Sequence, residues 1–225
     1  NQLKNEVDLD GLFSAFDKEL GFKLEFPDVF AYSDQAALKT NRGKVSSRML
    51  YALYYVFNIR KNVNDTNISI LEIGPGTART AYYAYKFGFK KYTVIDIISS
   101  NLVQYHFNCA VLGEKNVSLG INSDKFLTIL SSFQYNNINN HYDIICNFDG
   151  LTEYGIKHAQ NYFDRFPDLT AKVLSINHTY NEYTFSDLYK DKKNVKVLEK
   201  ELCDYRIDQA PLIYYKEIIE FTNNN

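Results

Sequence analysis

Hydrophobic and polar positions change their rhythm near residue 68. Before it, Leu12, Phe13, Phe16 and Leu20 recur at i, i+1, i+4 and i+8, one face of a short helix that Gly21 closes. The segment 22–30 is interrupted by Pro27 and reads as irregular or edge structure. Ser46 or Ser47 is placed to cap a helix reaching about Arg60, with Met49, Leu50, Tyr51, Leu53, Tyr54, Val56 and Phe57 covering most of its circumference. A helix so apolar is expected to be buried on several sides, against the main sheet or in a homodimer interface through 46–60. Residues 1–66 therefore read as an N-terminal helical cap whose loops cover a pocket, and the polar stretch 62–67 as its boundary.

From Ile68 onward short apolar runs alternate with helical patterns, the signature of parallel βαβ units. Strands are predicted over 68–73, 92–97, 117–121, 142–148 and 172–176. Helices are predicted over 77–87, from Ser99 or Ser100 to Leu112, over 123–132 and over 154–166. Ala78, Ala81, Tyr82 and Tyr85 make the inward face of the first of these. Two long strands, 194–202 and 212–222, joined by a loop containing Pro211, close the chain as a hairpin. The expectation is an α/β fold: a seven-stranded Rossmann-like sheet over 67–225 with an antiparallel C-terminal hairpin, preceded by the cap.

Composition narrows the function. With 225 residues, 45% of them hydrophobic, one well-buried core is affordable, and a formal charge of −2 without charged blocks gives a nucleic-acid polyanion nothing to bind. Cys109, Cys146 and Cys203 are odd in number and far apart, which excludes a disulfide framework or zinc knuckle and points to a reducing cytoplasm. No apolar run approaches the roughly 18 residues of a membrane span, and residues 1–12 lack a signal-peptide layout. The first residue is Asn rather than Met, which leaves a longer parent protein open. The 19 Tyr and 16 Phe read as a compositional habit more than as carbohydrate-stacking surfaces.

The candidate chemistry sits at the carboxyl ends of the strands, where open α/β sheets bind ligands. Glu72-Ile73-Gly74-Pro75-Gly76-Thr77-Ala78 runs from strand to helix through two glycines, which allow close backbone approach to a ligand beside unpaired helix N–H groups. Asp96 closes the second strand 20 residues after Gly76, the distance at which an acid meets ribose hydroxyls. Glu72, at the end of the first strand, is placed to face a ligand ammonium. Arg79 stands where the dinucleotide fingerprint requires its third glycine, which argues against a nicotinamide cofactor.

The pattern Glu72-x-Gly74-x-Gly76-x-Ala78, with Asp96 and the closing hairpin, resembles the class I S-adenosylmethionine-dependent methyltransferases over residues 68–222. That resemblance implies S-adenosylmethionine as cofactor, bound through Glu72, Gly74, Pro75, Gly76, Thr77, Ala78, Asp96, Ile97 and Asn147. The segment 142–153 resembles the strand-4 region of the putative sugar O-methyltransferases, with Gly150 and Tyr154 as departures, and implies a sugar or glycan acceptor. A hydroxyl acceptor needs a base. His178, Glu153 and Asp149, all just beyond strand ends, are the candidates; the same three could instead hold a divalent metal that lowers the hydroxyl pKa. Arg79 is a candidate for the cofactor carboxylate, and Asp143 reads as structural. Rival readings are an aminopropyl transferase or NAD-binding enzyme on a related sheet, and a catalytically degenerate scaffold within a larger glycan-biosynthesis protein.

Overall fold

The computed structural model describes residues 8–30, 37–121, 123–206 and 213–222, and the predicted loop at Pro211 lies outside them. The chain folds as two compact units, 1–51 and 52–225.

In the first unit, helix α1 (Leu9–Leu20) is capped by the Asp8 carboxylate, which accepts from Gly11 N, and ends at Gly21 in the left-handed conformation at φ 76°. Of its predicted apolar face Phe13 is buried, against Phe26 at 5.6 Å between ring centroids, whereas Leu12 and Phe16 are 45% and 42% exposed. So small a unit has too little chain to cover a full helix face. A hairpin of β1 (Leu38–Thr40) and β2 (Gly43–Val45), not expected from periodicity, follows. Arg42 ties the hairpin to α1 through a two-oxygen contact with Asp17 at 2.7 and 2.8 Å. Helix α2 (Ser47–Lys61) starts where Ser46 accepts from Met49 N, as predicted. Its second half belongs to the second unit, where Tyr55 stacks on Phe148 at 4.3 Å and Lys172 donates to the Asn62 carbonyl.

The second unit is built on an eight-stranded sheet. Its strands are β3 (Ser69–Ile73), β4 (Lys91–Asp96), β5 (Val117–Leu119), β6 (Leu127–Ser131), β7 (Ile144–Phe148), β8 (Lys172–His178), β9 (Val195–Leu202) and β10 (Tyr214–Phe221). Their order is β5-β6-β4-β3-β7-β8-β10-β9. The first six are parallel and β10 is antiparallel to both its neighbours. The hairpin of β9 and β10 is the predicted closure. The segment 123–132 was expected to be helical, and Leu127–Ser131 is instead β6, paired with β4. The run Phe126-Leu127-Thr128-Ile129-Leu130 is too short for period to separate strand from buried helix, and its length favours a strand.

Helices α3 (Arg79–Lys86), α4 (Ile98–Leu112), α5 (Ile156–Asp164) and α6 (Phe166–Leu169) connect the strands. The inward face of α3 is Thr80, Ala81, Tyr82, Tyr83 and Ala84, whereas Tyr85, predicted inward, is 42% exposed with its ring edge on Phe126. The helix predicted over 154–166 is broken in two, with Pro167 in the first turn of α6, where a missing N–H costs nothing. Leu71, Ile73, Ile95, Leu130, Ile145 and Val173 line one face of the sheet and pack against Phe163, Phe166, Phe185 and Tyr189. The chain runs from β3 to β4, on to the edge strand β5 and back to β6 between them, then crosses to the other side of β3 at β7. Strand order therefore reverses between β3 and β7, and this switch point is where such sheets open a crevice.

Candidate functional site

The loops leaving β3 and β7 meet at that switch point backbone against backbone. Gly74 sits at φ 68°, and a Cβ there would lie 2.9 Å from Gly150 Cα and 3.0 Å from the Tyr154 hydroxyl. A Cβ on Gly150 would in turn lie 2.9 Å from Gly74 Cα, Gly74 O and Ile73 O. Gly150 is thus required by the glycine loop across from it, which accounts for its place in the 142–153 segment. Gly76, at φ 58°, is exposed and has nothing within 4 Å of where its Cβ would be, so open space lies over the loop. Ala78 is left-handed at φ 55° and α3 begins at Arg79, two residues later than predicted.

Asp96 anchors the loop from the end of β4. It is 8% exposed; its Oδ2 accepts from Gly76 N at 3.2 Å and from Gln104 Nε2 at 3.0 Å, and its Oδ1 from Ile97 N at 2.8 Å. Burial raises its pKa, while these hydrogen bonds and one from Ser100 oppose the shift. Glu72 departs from expectation. The strand alternation puts it on the same face as Ile70, beneath α3, where its carboxylate is 1% exposed and accepts from Thr80 Oγ1 at 2.5 Å and Tyr92 OH at 2.9 Å. It braces strand and helix and does not face a ligand ammonium. Burial pushes its pKa up to about 7 against those two hydrogen bonds, with the Asp96 charge adding to the rise.

Asn147 is fully buried and opens a chain of amides across the strand ends. Its Nδ2 donates to Ile73 O at 2.9 Å, and its Oδ1 accepts from Asn177 Nδ2 at 2.9 Å. Asn177 Oδ1 accepts from Thr152 Oγ1 at 3.0 Å, and Thr152 Oγ1 accepts from Asn181 Nδ2 at 3.0 Å. These bonds hold the ends of β3, β7 and β8 in register with one another.

The three candidate bases lie beyond those ends. Asp149 is half-buried at φ 61°, its N–H donating to Ile176 O at 3.1 Å. Glu153 closes a 3-10 turn, Leu151–Glu153, and is exposed; partial burial and the Asp149 charge raise its carboxyl pKa, with His178 pulling the other way and Asp96 adding a further rise. His178 is the last residue of β8, its Nδ1 accepting from Tyr180 N at 3.3 Å and its ring edge-on to Tyr214 at 5.5 Å. The structure therefore brings Asp149 and His178 each within electrostatic reach of Glu153. Among the described residues no group of three or more His, Cys, Asp and Glu side chains is close enough to hold a metal ion, so these three do not form such a set. Arg79 lies over the Phe107 ring at 5.9 Å, and Asp143 accepts from Ser69 N and Oγ at the amino end of β3.

No protein-family model matches the chain, and no curated protein does. Its fold nevertheless has solved counterparts. Magnesium protoporphyrin IX methyltransferase from Synechocystis PCC 6803, solved with bound S-adenosylmethionine, superposes at a TM-score of 0.55 and 12% identity over 79% of this chain and 84% of that one. Ribosomal protein L11 methylase from Lactobacillus delbrueckii subsp. bulgaricus gives 0.52 and 12% over 88% and 90%. The methyltransferase domain of a bacterial Hen1 gives 0.57 and 10% over 77% and 98%. The chain has the class I methyltransferase fold. The predicted Rossmann-like sheet with a closing hairpin is thereby the observed one, with β6 as an eighth strand inserted between β5 and β4.

On a methyltransferase fold, further residues stand out that the sequence reading passed over. Gln104, fully buried on α4, touches both the glycine loop and Asp96. Phe133, 80% exposed just after β6, leaves the carboxyl end of the strand beside that of the expected candidate Ile97, which is 55% exposed just after β4, since Asp96 pairs with Ser131. Tyr154 borders Gly74, and Asn177 completes the amide chain. Among the described residues no helix is long and apolar enough to cross a membrane.

Proposed function

We propose that this protein is an S-adenosylmethionine-dependent methyltransferase acting on a hydroxyl of a small sugar-like or glycan acceptor. One observation carries the cofactor half: the Gly74–Gly76 loop, bonded to Asp96 and open above Gly76, lies at the point where strand order reverses. The residues fit the group. Gly76 and Pro75 leave room for close backbone approach, Asp96 offers its carboxylate to ribose hydroxyls, and Ile97 and Phe133 offer apolar surface to an adenine ring. Thr77 and Ala78 carry the loop into α3. Glu72 and Asn147 act from beneath, by holding the loop's backbone. Bound there, S-adenosylmethionine supplies an electrophilic methyl on a sulfonium centre.

What remains for the protein is to align an acceptor oxygen with that methyl and to remove its proton. Glu153 is the leading base, since its raised pKa makes it a stronger proton acceptor than an ordinary carboxylate. His178 can take the same proton from the end of β8, and Asp149 keeps negative charge beside Glu153. The sugar acceptor rests on the resemblance of 142–153; Gly150 no longer weighs against it, because the contact with Gly74 accounts for that residue. Labelled methyl transfer to hydroxylated acceptors tests the proposal. Glu153→Gln and His178→Ala are expected to lower turnover by about 10²- to 10⁴-fold, the usual worth of a general base, for whichever residue holds that role. Wild-type turnover in both variants would remove the catalytic assignment.

A further inference from the structure

Helix α4 is inverted relative to an ordinary surface helix. Its inward side carries Asn101, Gln104 and Asn108, all buried, while Ile98 and Leu102 are 55% and 66% exposed. Burying three amides is costly unless each has partners, and all but the Asn108 Oδ1 atom have them. Gln104 Nε2 donates to Gly76 O at 2.8 Å and to Asp96 Oδ2 at 3.0 Å. Asn101 Nδ2 donates to Gln104 Oε1 at 3.0 Å and to Leu130 O at 3.2 Å. Asn108 Nδ2 donates to Gln104 O at 3.0 Å and to Ala78 O at 3.4 Å. The partners of Gln104 Nε2 are a carbonyl and a carboxylate, both acceptors only, so the group between them must donate twice. An amide does this without bringing a charge, and its remaining oxygen is held by Asn101.

We infer that Gln104 is a positioning residue of the cofactor site, fixing the glycine loop and the ribose-binding carboxylate relative to each other, with Asn101 fixing Gln104. The inference rests on the S-adenosylmethionine reading. Gln104 acts on the ligand through Gly76 and Asp96. Removing it leaves the loop held to Asp96 by the single 3.2 Å bond from Gly76 N.

The test is calorimetric titration of S-adenosylhomocysteine into wild type, Gln104→Leu, Gln104→Glu and Asn101→Ala, with thermal melts of each. Gln104→Leu is expected to bind about tenfold to a hundredfold more weakly, the range for a lost hydrogen bond to a charged partner. Gln104→Glu supplies the signature that a merely structural role would not produce. At pH 8 its carboxylate would oppose Asp96, but near pH 6 a proton shared by the two would restore a donor and recover affinity. Among the described residues Glu72, Glu153, Tyr154 and Tyr162 also feel the Asp96 charge, and they are common to every variant. If Gln104→Leu fails to fold, Asn101→Ala, which frees the Gln104 amide to rotate, is expected to weaken binding several-fold. Variants binding within twofold of wild type, with a wild-type pH profile for Gln104→Glu, would overturn the inference. A wild type that does not bind at all would overturn the cofactor reading instead.

Discussion

A methyl group added at Gly150 tests the junction between the β3 and β7 loops. The new Cβ would lie 2.9 Å from Gly74 Cα, Gly74 O and Ile73 O, which are all backbone atoms and cannot rotate away. At φ −88° the Gly150 backbone itself accepts alanine, so the cost is overpacking alone, about 1–3 kcal/mol. In a domain of this size that corresponds to a fall of about 2–12 °C in Tm. Gly74→Ala meets the same wall from the other side and adds a left-handed penalty of about 1–2 kcal/mol, because its φ is 68°. Gly76→Ala carries that left-handed penalty with nothing to clash against. Urea denaturation should therefore rank Gly74→Ala as more damaging than either Gly150→Ala or Gly76→Ala. Binding of S-adenosylhomocysteine should separate the last two differently, since the Gly76 methyl projects into the space proposed for the ligand. A Gly150→Ala midpoint indistinguishable from wild type would refute the backbone-to-backbone contact.

The buried Glu72 makes stability depend on pH. Its pKa is raised from an unfolded value of 4.5 to about 7, so the folded state binds more protons between these values and stability falls as pH rises through them. The effect is about 3 kcal/mol and is fully developed above pH 7; the drop in unfolding free energy from pH 5 to pH 8, measured in urea, should shrink by up to that amount in Glu72→Gln, and an unchanged drop would contradict the burial of this carboxyl. Asn147→Ala would remove the amide bonds to Ile73 O and from Asn177 Nδ2, which keeps only Ser175 Oγ, and should cost about 1–3 kcal/mol in the same experiment, whereas a neutral result would mean that the amide chain does not hold the strand ends.

Much of the sheet is readable in the sequence because β3, β4, β7 and β8 are apolar runs flanked by turn residues, and the last two strands have no room for a helix between them. Strand β6 escaped because so short a run, Phe126 to Leu130, carries no decisive period. Glu72 was misplaced for a different reason: its position at a strand end suggested a ligand, but alternation along β3 turns it under α3, where Thr80 and Tyr92 meet it. Gln104 carried no signal at all, because a polar residue on a helix ordinarily faces water, and its role follows from tertiary contacts with residues far away in sequence. Gly150 shows the same limit, since the reason for it is Gly74 in the loop after another strand.

The central claim is that the Gly74–Gly76 loop and Asp96 bind an adenosyl cofactor, and calorimetric titration of S-adenosylhomocysteine into the wild type and Asp96→Ala tests it most directly. Saturable one-to-one binding by the wild type, abolished in an Asp96→Ala protein that keeps its cooperative melt, is the predicted result. No binding by the wild type, or undiminished affinity without the carboxylate, would contradict it.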